Sequence, residues 1–242
     1  MKVLILAAGR GKRLERTSDN LNKCLIKVNG KPLIEYSLDC VSKLSQIEEI
    51  VIVVGYRAED IKRKYKDEYN GKSIAYVYQK EQRGLVHAMG CAKTAIGSSD
   101  FMLMLGDELM LKPHYEDFIE QFRKEDLFAL CGIVLVKDAK IIKKTYAVIQ
   151  LEDGRIIRVI EKPSYFFNNM MGTGNCIFKN KIFEYIPYVP INQKRGEKEF
   201  PDLIQYAVDE GHIVKPFIIC KNYINVNSRE ELKEGISSFS HL

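Results

Sequence analysis

Four short, continuously apolar runs in the first part of the chain limit its folding most: Val3-Leu4-Ile5-Leu6, Ile50-Val51-Ile52-Val53-Val54, Ile74-Ala75-Tyr76-Val77-Tyr78 and Phe101-Met102-Leu103-Met104-Leu105. None carries a charged residue, and each has strand length. A strand without a polar face is stable where both faces are covered, as in a parallel sheet between helices. Helix-like stretches fill the intervals. One begins at Pro32 and sets Leu33, Tyr36, Ser37, Cys40, Val41 and Leu44 on one side. Others run from Ala58 to Tyr65 and from about Leu85 to Ala95. This alternation predicts an α/β fold with a mainly parallel sheet flanked by helices.

After Phe128 the pattern changes. Phe128 to Val136, Tyr146 to Leu151 and Ile156 to Ile160 read as strands, the last two joined by the turn Glu152-Asp153-Gly154. A strand around Cys176–Phe178, a helix from Glu199 to Val208 and strands near Val214–Ile219 and Ile224–Val226 follow. A final helix starts at Ser228, with Glu231 completing a capping box. No Pro-, Gly- or Ser-rich linker separates the halves, so residues 1–242 are expected to form one domain with parts 1–127 and 128–242.

Charge narrows the function. The 37 basic and 32 acidic residues give a net charge of +5, spread along the chain without a Lys/Arg block. Nucleic-acid binders concentrate such charge on one stripe, so no nucleic-acid partner is expected. The six cysteines are scattered, form no CxxC pair and sit in or beside apolar runs, which fits reduced thiols. The first apolar run is too short for a signal peptide or membrane span, so a cytoplasmic protein without a membrane partner is expected.

The chemistry begins after the first strand, in Leu6-Ala7-Ala8-Gly9-Arg10-Gly11-Lys12-Arg13-Leu14. Glycines at the carboxyl end of a parallel strand let backbone N–H groups approach phosphate oxygens, and three cations add charge. The Gly-Lys-Ser/Thr of a P-loop and the third glycine of the dinucleotide fingerprint are absent. Alone, this is a glycine turn with cations.

Asn22-Lys23-Cys24-Leu25, with Lys23 ten positions after Arg13, and Gly30-Lys31-Pro32-Leu33-Ile34-Glu35-Tyr36 extend the pattern. It continues through Tyr78-Gln79 to Gly84-Leu85, Leu105-Gly106-Asp107, Tyr146-Ala147-Val148, Glu161-Lys162-Pro163, Gly172-Thr173-Gly174 and Ile224-Asn225-Val226-Asn227-Ser228. This ordered set, covering nearly the whole chain, resembles the sugar-phosphate nucleotidyltransferase family, which includes glucose-1-phosphate thymidylyltransferases. The resemblance implies a Rossmann-like nucleotide-diphospho-sugar transferase fold, with residues 1–127 binding nucleotide and 128–242 the acceptor. The implied reaction joins a nucleoside triphosphate to a sugar 1-phosphate and releases pyrophosphate, with Mg²⁺ as cofactor. It places Leu6, Ala7, Ala8, Gly9, Gly11, Lys12, Arg13, Gln79 and Gly84 at the nucleotide. Arg13 would stabilise the departing pyrophosphate, Lys23 the α-phosphate and Lys162 the sugar phosphate. Ala147, Glu161 and Gly174 would line the acceptor site. Asp107 would hold the metal, with Asn225 or Asn227 as second ligand.

The chain departs from that family in four places. Asn22 stands where proline is usual. Glu108 follows Asp107 and is expected to add negative charge near the phosphates. Ala147 replaces a frequent glycine, where its methyl would crowd the sugar. Asn225 stands, on one alignment, for a metal-binding aspartate. These motivate two alternatives, a cytidylyltransferase acting on a phosphorylated alcohol and a non-catalytic nucleotide-sugar-binding subunit. An NAD-dependent oxidoreductase is disfavoured, because Val53-Val54-Gly55-Tyr56 brings no acidic ribose ligand. His87 could approach the nucleotide, although a structural place is its default; His114, His212 and His241 show no ligand spacing. Tyr165-Phe166-Phe167 reads as core, a flap or a contact in a homo-oligomer, and residues 192–198 as an exposed polar loop. No hexapeptide repeats precede Leu242, so an appended acyltransferase domain is not expected.

Overall fold

The computed structural model describes residues 1–11 and 21–238. Its first half contains β1 (Lys2–Ala7), β2 (Lys27–Val28), β3 (Lys31–Pro32), α1 (Leu33–Val41), β4 (Glu49–Val54), α2 (Ala58–Tyr65), β5 (Glu68–Tyr69), β6 (Lys72–Tyr78), α3 (Gly84–Cys91), α4 (Lys93–Ile96) and β7 (Phe101–Leu105). β1 lies parallel between β4 and β7, and β6 runs parallel to β4. Val3, Ile5 and Ala7 enter one buried cluster with Leu38 and Val41 of α1. Leu4 and Leu6 enter another with Val86 and Met89 of α3. Helices therefore cover both faces of β1, which is the physical reason for its unbroken apolar run. The helix expected over Leu85–Ala95 is divided into α3 and α4 at Ala92.

The chain continues through β8 (Glu108–Leu111), α5 (Tyr115–Lys124), β9 (Ala129–Leu135), β10 (Tyr146–Gln150), β11 (Ile156–Glu161), β12 (Met170–Phe178), α6 (Ile182–Tyr185), β13 (Ile191–Asn192), β14 (Glu197–Lys198), α7 (Phe200–Asp209), β15 (Val214–Ile218), β16 (Asn222–Asn225) and α8 (Arg229–Ser238). The strand expected around Cys176 is thus longer, and it is the joint of the molecule. β12 pairs antiparallel with β7, β9 and β10. The main path is β11-β10-β12-β7-β1-β4-β6-β5, with β9 and β15 branching from β12. The sheet is therefore mixed: a parallel core, β7-β1-β4-β6, and an antiparallel flank.

α5 is not among the elements expected above, although Tyr115, Phe118, Ile119 and Phe122 form the i, i+3, i+4, i+7 stripe of a half-buried helix. The small pair β8–β16 is antiparallel and matches Asn225 with Glu108, beside Asp107. That pairing carries the last motif of the chain to the end of β7. Ser228 caps α8, its Oγ accepting from Glu231 N–H at 3.2 Å, while Glu231 Oε2 accepts from Asn227 N–H at 2.8 Å in place of the Ser228 N–H of a full capping box. All six cysteines are free. No helix among the described residues is long and apolar enough to cross a membrane.

Candidate active site

The loop after β1 is held by its own carbonyls. Leu6 C=O accepts from Gly106 N–H at 3.0 Å and Ala8 C=O from Tyr56 N–H at 3.1 Å. Leu6, Ala7 and Ala8 are buried, and their side chains support the loop from the core. Gly9 and Arg10 emerge, the Arg10 guanidinium lying 5.2 Å from the centre of the Tyr56 ring. Gly11 has φ +64°, and a Cβ there would stand 2.9 Å from Lys23 Cβ, so the loop packs closely on Lys23. Lys12 and Arg13 lie outside the described residues.

Asn22 explains its own departure from proline. It is fully buried; its Oδ1 accepts from Cys24 N–H at 2.9 Å, capping the short 3₁₀ turn Lys23–Leu25. Its Nδ2 donates to Ala7 C=O at 3.1 Å and Tyr56 C=O at 2.8 Å. Proline could make none of these bonds. They place Lys23 beside the ends of β1 and β7, where its Nζ pairs with Asp107 Oδ2. The same Nζ donates to Asn227 Oδ1 at 2.7 Å. Asn227 Nδ2 in turn donates to Asn225 Oδ1 at 2.7 Å. Both asparagines are therefore present, but Asn227 is the one whose oxygen shares a cation with Asp107.

A cavity of about 290 Å³ joins this cluster to the acceptor motifs; Asp107, Asn225 and Asn227 line it together with Glu161, Lys162 and Gly174. Lys162 lies 2.8 Å from Glu161, and Arg195 Nη1 approaches Glu161 at 3.5 Å and Glu199 at 3.0 Å. Burial pushes the Glu161 carboxyl above its ordinary pKa, while Lys162 and Arg195 pull it down. Arg195 lies between β13 and β14, in the segment read as a plain polar loop, and only the tertiary fold brings it here. A Cβ on Gly174 would run into Leu105 and come 2.9 Å from Glu108 Oε1, so this strand must pass bare against β7 and β8.

Two expected positions take places that the sequence did not show. Ala147 is buried, paired with Met171 in the core, and does not line the cavity; Thr145 and Tyr146 do. Its methyl therefore packs inward and does not crowd the sugar. Glu108 is likewise buried. It accepts from Gly174 N–H at 2.9 Å, Asn175 Nδ2 at 2.8 Å and Tyr223 O–H at 2.6 Å. Burial pushes its pKa up to about 7, helped by the charge of Asp107 and opposed by its donors. It ties β8, β12 and β16 together while also lining the cavity beside Asp107. Tyr165 and Phe167 are exposed rather than core, at 78% and 58%.

Gln79, just beyond β6, is buried and donates from Nε2 to Gly84 C=O at 3.0 Å. His87 of α3 sits against the same nitrogen, with Nδ1 at 3.0 Å.

Cations, a carboxylate and neutral amide oxygens meet at the carboxyl edge of a parallel sheet, an arrangement suited to phosphate esters. The family profile described as Nucleotidyl transferase matches residues 2–223. A "UTP--glucose-1-phosphate uridylyltransferase AglF" of Haloferax volcanii is 34% identical over 215 residues, 88% of this chain and 86% of that one. A "low-salt glycan biosynthesis nucleotidyltransferase Agl11" of the same organism is 30% identical over 97% of this chain, which spans 65% of its length. A structure described as UDP-glucose pyrophosphorylase complexed with UDP-glucose superposes with a TM-score of 0.86 at 22% identity, covering 99% of this chain and 98% of that one. This last likeness concerns the fold. The chain belongs to the nucleotidyl transferase family. It is a nucleotidyltransferase, and the oxidoreductase reading falls away.

Proposed function

We propose that the protein joins a nucleoside triphosphate to a sugar 1-phosphate, giving a nucleotide-sugar and pyrophosphate. The observation that carries this reading is the Lys23–Asp107–Asn227 cluster bordering the cavity that holds Glu161, Lys162 and Arg195. Triphosphate and sugar-phosphate groups thus have cations at either part of one cavity. The relatives' names point to UTP as the first donor to try and glucose 1-phosphate as the first acceptor.

The acceptor phosphate loses its second proton near pH 6, so its dianion attacks without a general base. A bond forms between the acceptor oxygen and the α-phosphorus while the bond from that phosphorus to the bridging oxygen breaks. The electron pair leaves with pyrophosphate. What the residues contribute is alignment and charge neutralisation. Lys23 neutralises the α-phosphate; Lys162 and Arg195 hold the acceptor phosphate, and Glu161 accepts from a sugar hydroxyl. Arg13 and the Gly11 amide are assigned to the departing pyrophosphate, Gln79 and Gly84 to the base. A carboxylate and an amide oxygen already gathered around a cation suit Mg²⁺, which Asp107 and Asn227 would hold and which would neutralise phosphate charge.

The test is pyrophosphate release across four nucleoside triphosphates and a panel of phosphorylated sugars and alcohols, with and without Mg²⁺. Turnover with a sugar 1-phosphate is expected. Turnover only with a phosphorylated alcohol would replace the acceptor, and a folded sample inactive with every pair would refute the reading.

A further inference from the structure

Glu231 of α8 joins two parts of the site that are far apart in the chain. Its Oε2 accepts from the Asn227 backbone N–H at 2.8 Å, and its Oε1 pairs with Lys144 Nζ at 2.8 Å. Each contact leads on to a charged group of the site. Asn227 Oδ1 accepts from Lys23 Nζ at 2.7 Å, and Lys23 pairs with Asp107. On the other side Lys144 is followed by Thr145, whose C=O accepts from the Lys162 N–H at 2.8 Å. Lys162 has φ +42°, a left-handed backbone that a lysine adopts at a cost and keeps only where its neighbours hold it. A continuous path of bonds therefore runs from Asp107 to Lys162, with Glu231 at its middle.

The surroundings make this carboxylate a fixed point. Its side chain is only 14% exposed, against 60% for Lys144. Ser228 Oγ accepts from the Glu231 N–H at 3.2 Å, which pins the first turn of α8. Lys144 and Glu231 both line a cavity of about 430 Å³, so the ion pair spans open space where close packing is missing.

Resting on the reading that Asn227 holds the metal and Lys162 the acceptor phosphate, we propose that Glu231 is a positioning residue for both. Through Oε2 it fixes the Asn227 backbone, and so the direction of the amide oxygen beside Asp107. Through Oε1, Lys144 and Thr145 it fixes the strained backbone of Lys162. Glutamine at this position separates the two duties. Its single acceptor oxygen stays with the Asn227 N–H, which is the less exposed donor. Its NH₂ then faces the Lys144 ammonium, donor toward donor, and the exposed lysine turns to water.

The test compares wild type, E231A, E231Q and K144M in the whole protein with UTP, glucose 1-phosphate and Mg²⁺. Steady-state kinetics give the Mg²⁺ concentration for half-maximal rate and KM for glucose 1-phosphate. Calorimetry gives the binding of glucose 1-phosphate, and of UTP with and without Mg²⁺; amide hydrogen exchange reports on Asn227 and Lys162 directly. E231A should raise the half-maximal Mg²⁺ about tenfold, as loss of an outer partner of a metal ligand does. It should also weaken glucose 1-phosphate about threefold, the worth of a partly exposed ion pair. E231Q and K144M should weaken glucose 1-phosphate by the same factor and leave the Mg²⁺ requirement at the wild-type value. The Asn227 amide should exchange faster in E231A alone, and the Lys162 amide in all three variants. If E231Q raises the Mg²⁺ requirement as far as E231A, or if K144M leaves glucose 1-phosphate unaffected, the double role of Glu231 is overturned while the transfer reading stands. Equal loss of every property along with the melting temperature overturns it too, since that marks a merely structural residue. If wild type neither binds nor turns over any nucleotide and sugar phosphate, the transfer reading fails and the role of Glu231 falls with it.

Discussion

Lys23 and Asp107, 84 positions apart in sequence, share an ion pair at the carboxyl edge of the sheet, and Asn227 closes it at 2.7 Å from the lysine. Three distant motifs meet there because β1 and β7 are adjacent parallel strands and β16 pairs with the strand after Asp107.

Replacing Asp107 with Asn should lower kcat/KM at least about a hundredfold, since a charge at the phosphates is worth several kcal/mol. The Mg²⁺ concentration for half-maximal rate should rise as well. Asn225→Ala should raise it far less than Asn227→Ala, because Asn227 shares the cation. A titration of rate against Mg²⁺ for the three variants checks the order.

Asn22→Ala should destabilise the protein by about 1–3 kcal/mol, because two backbone carbonyls and a turn N–H lose their partner in a buried place. Chemical denaturation measures this. Asn22→Pro should do no better, despite the family's usual proline, because the Ala7 and Tyr56 carbonyls are left bare.

Gly174→Ala should cost about 1–3 kcal/mol through overpacking against Leu105 and Glu108. Thermal melting gives the loss of stability. Kinetics should show a raised KM for the sugar phosphate, because Gly174 lines the cavity.

Arg195→Ala should raise KM for the sugar phosphate about tenfold and leave KM for the triphosphate nearly unchanged, as loss of a charge-assisted contact would. Varying each substrate separately distinguishes this from a general loss of folding.

His212 stacks on Phe128 with ring centroids 3.8 Å apart, and its Nε2 lies 2.6 Å from the Tyr185 hydroxyl. Burial, with help from Lys181, lowers its pKa. The unfolded chain then takes up the proton first, so its contribution to stability is full above about pH 6.5 and is lost as pH falls. The melting temperature of wild type should therefore drop more between pH 7 and 5 than that of His212→Phe.

Much of the site was legible because its motifs sit at strand ends in a fixed order. Lys23, Asp107 and Lys162 were singled out that way, and the fold brings Lys23 to Asp107 and sets Asp107 and Lys162 on one cavity. Arg195 was not, since an arginine in a polar segment looks the same whether it is solvated or reaches Glu161 and Glu199. The burial of Ala147 and Glu108 was hidden for the complementary reason: which face of a strand a residue takes depends on what covers that face.

Local physics was enough for the alternation of buried strands and amphipathic helices, since unbroken apolar runs need cover on both sides. Near-neighbour chemistry likewise marked a glycine turn with cations after β1. Only the tertiary structure decided which oxygens share a cation and which glutamate is sealed in the core. Each of those outcomes depends on groups brought together from distant parts of the chain, and burial then sets the charge and orientation that each can sustain.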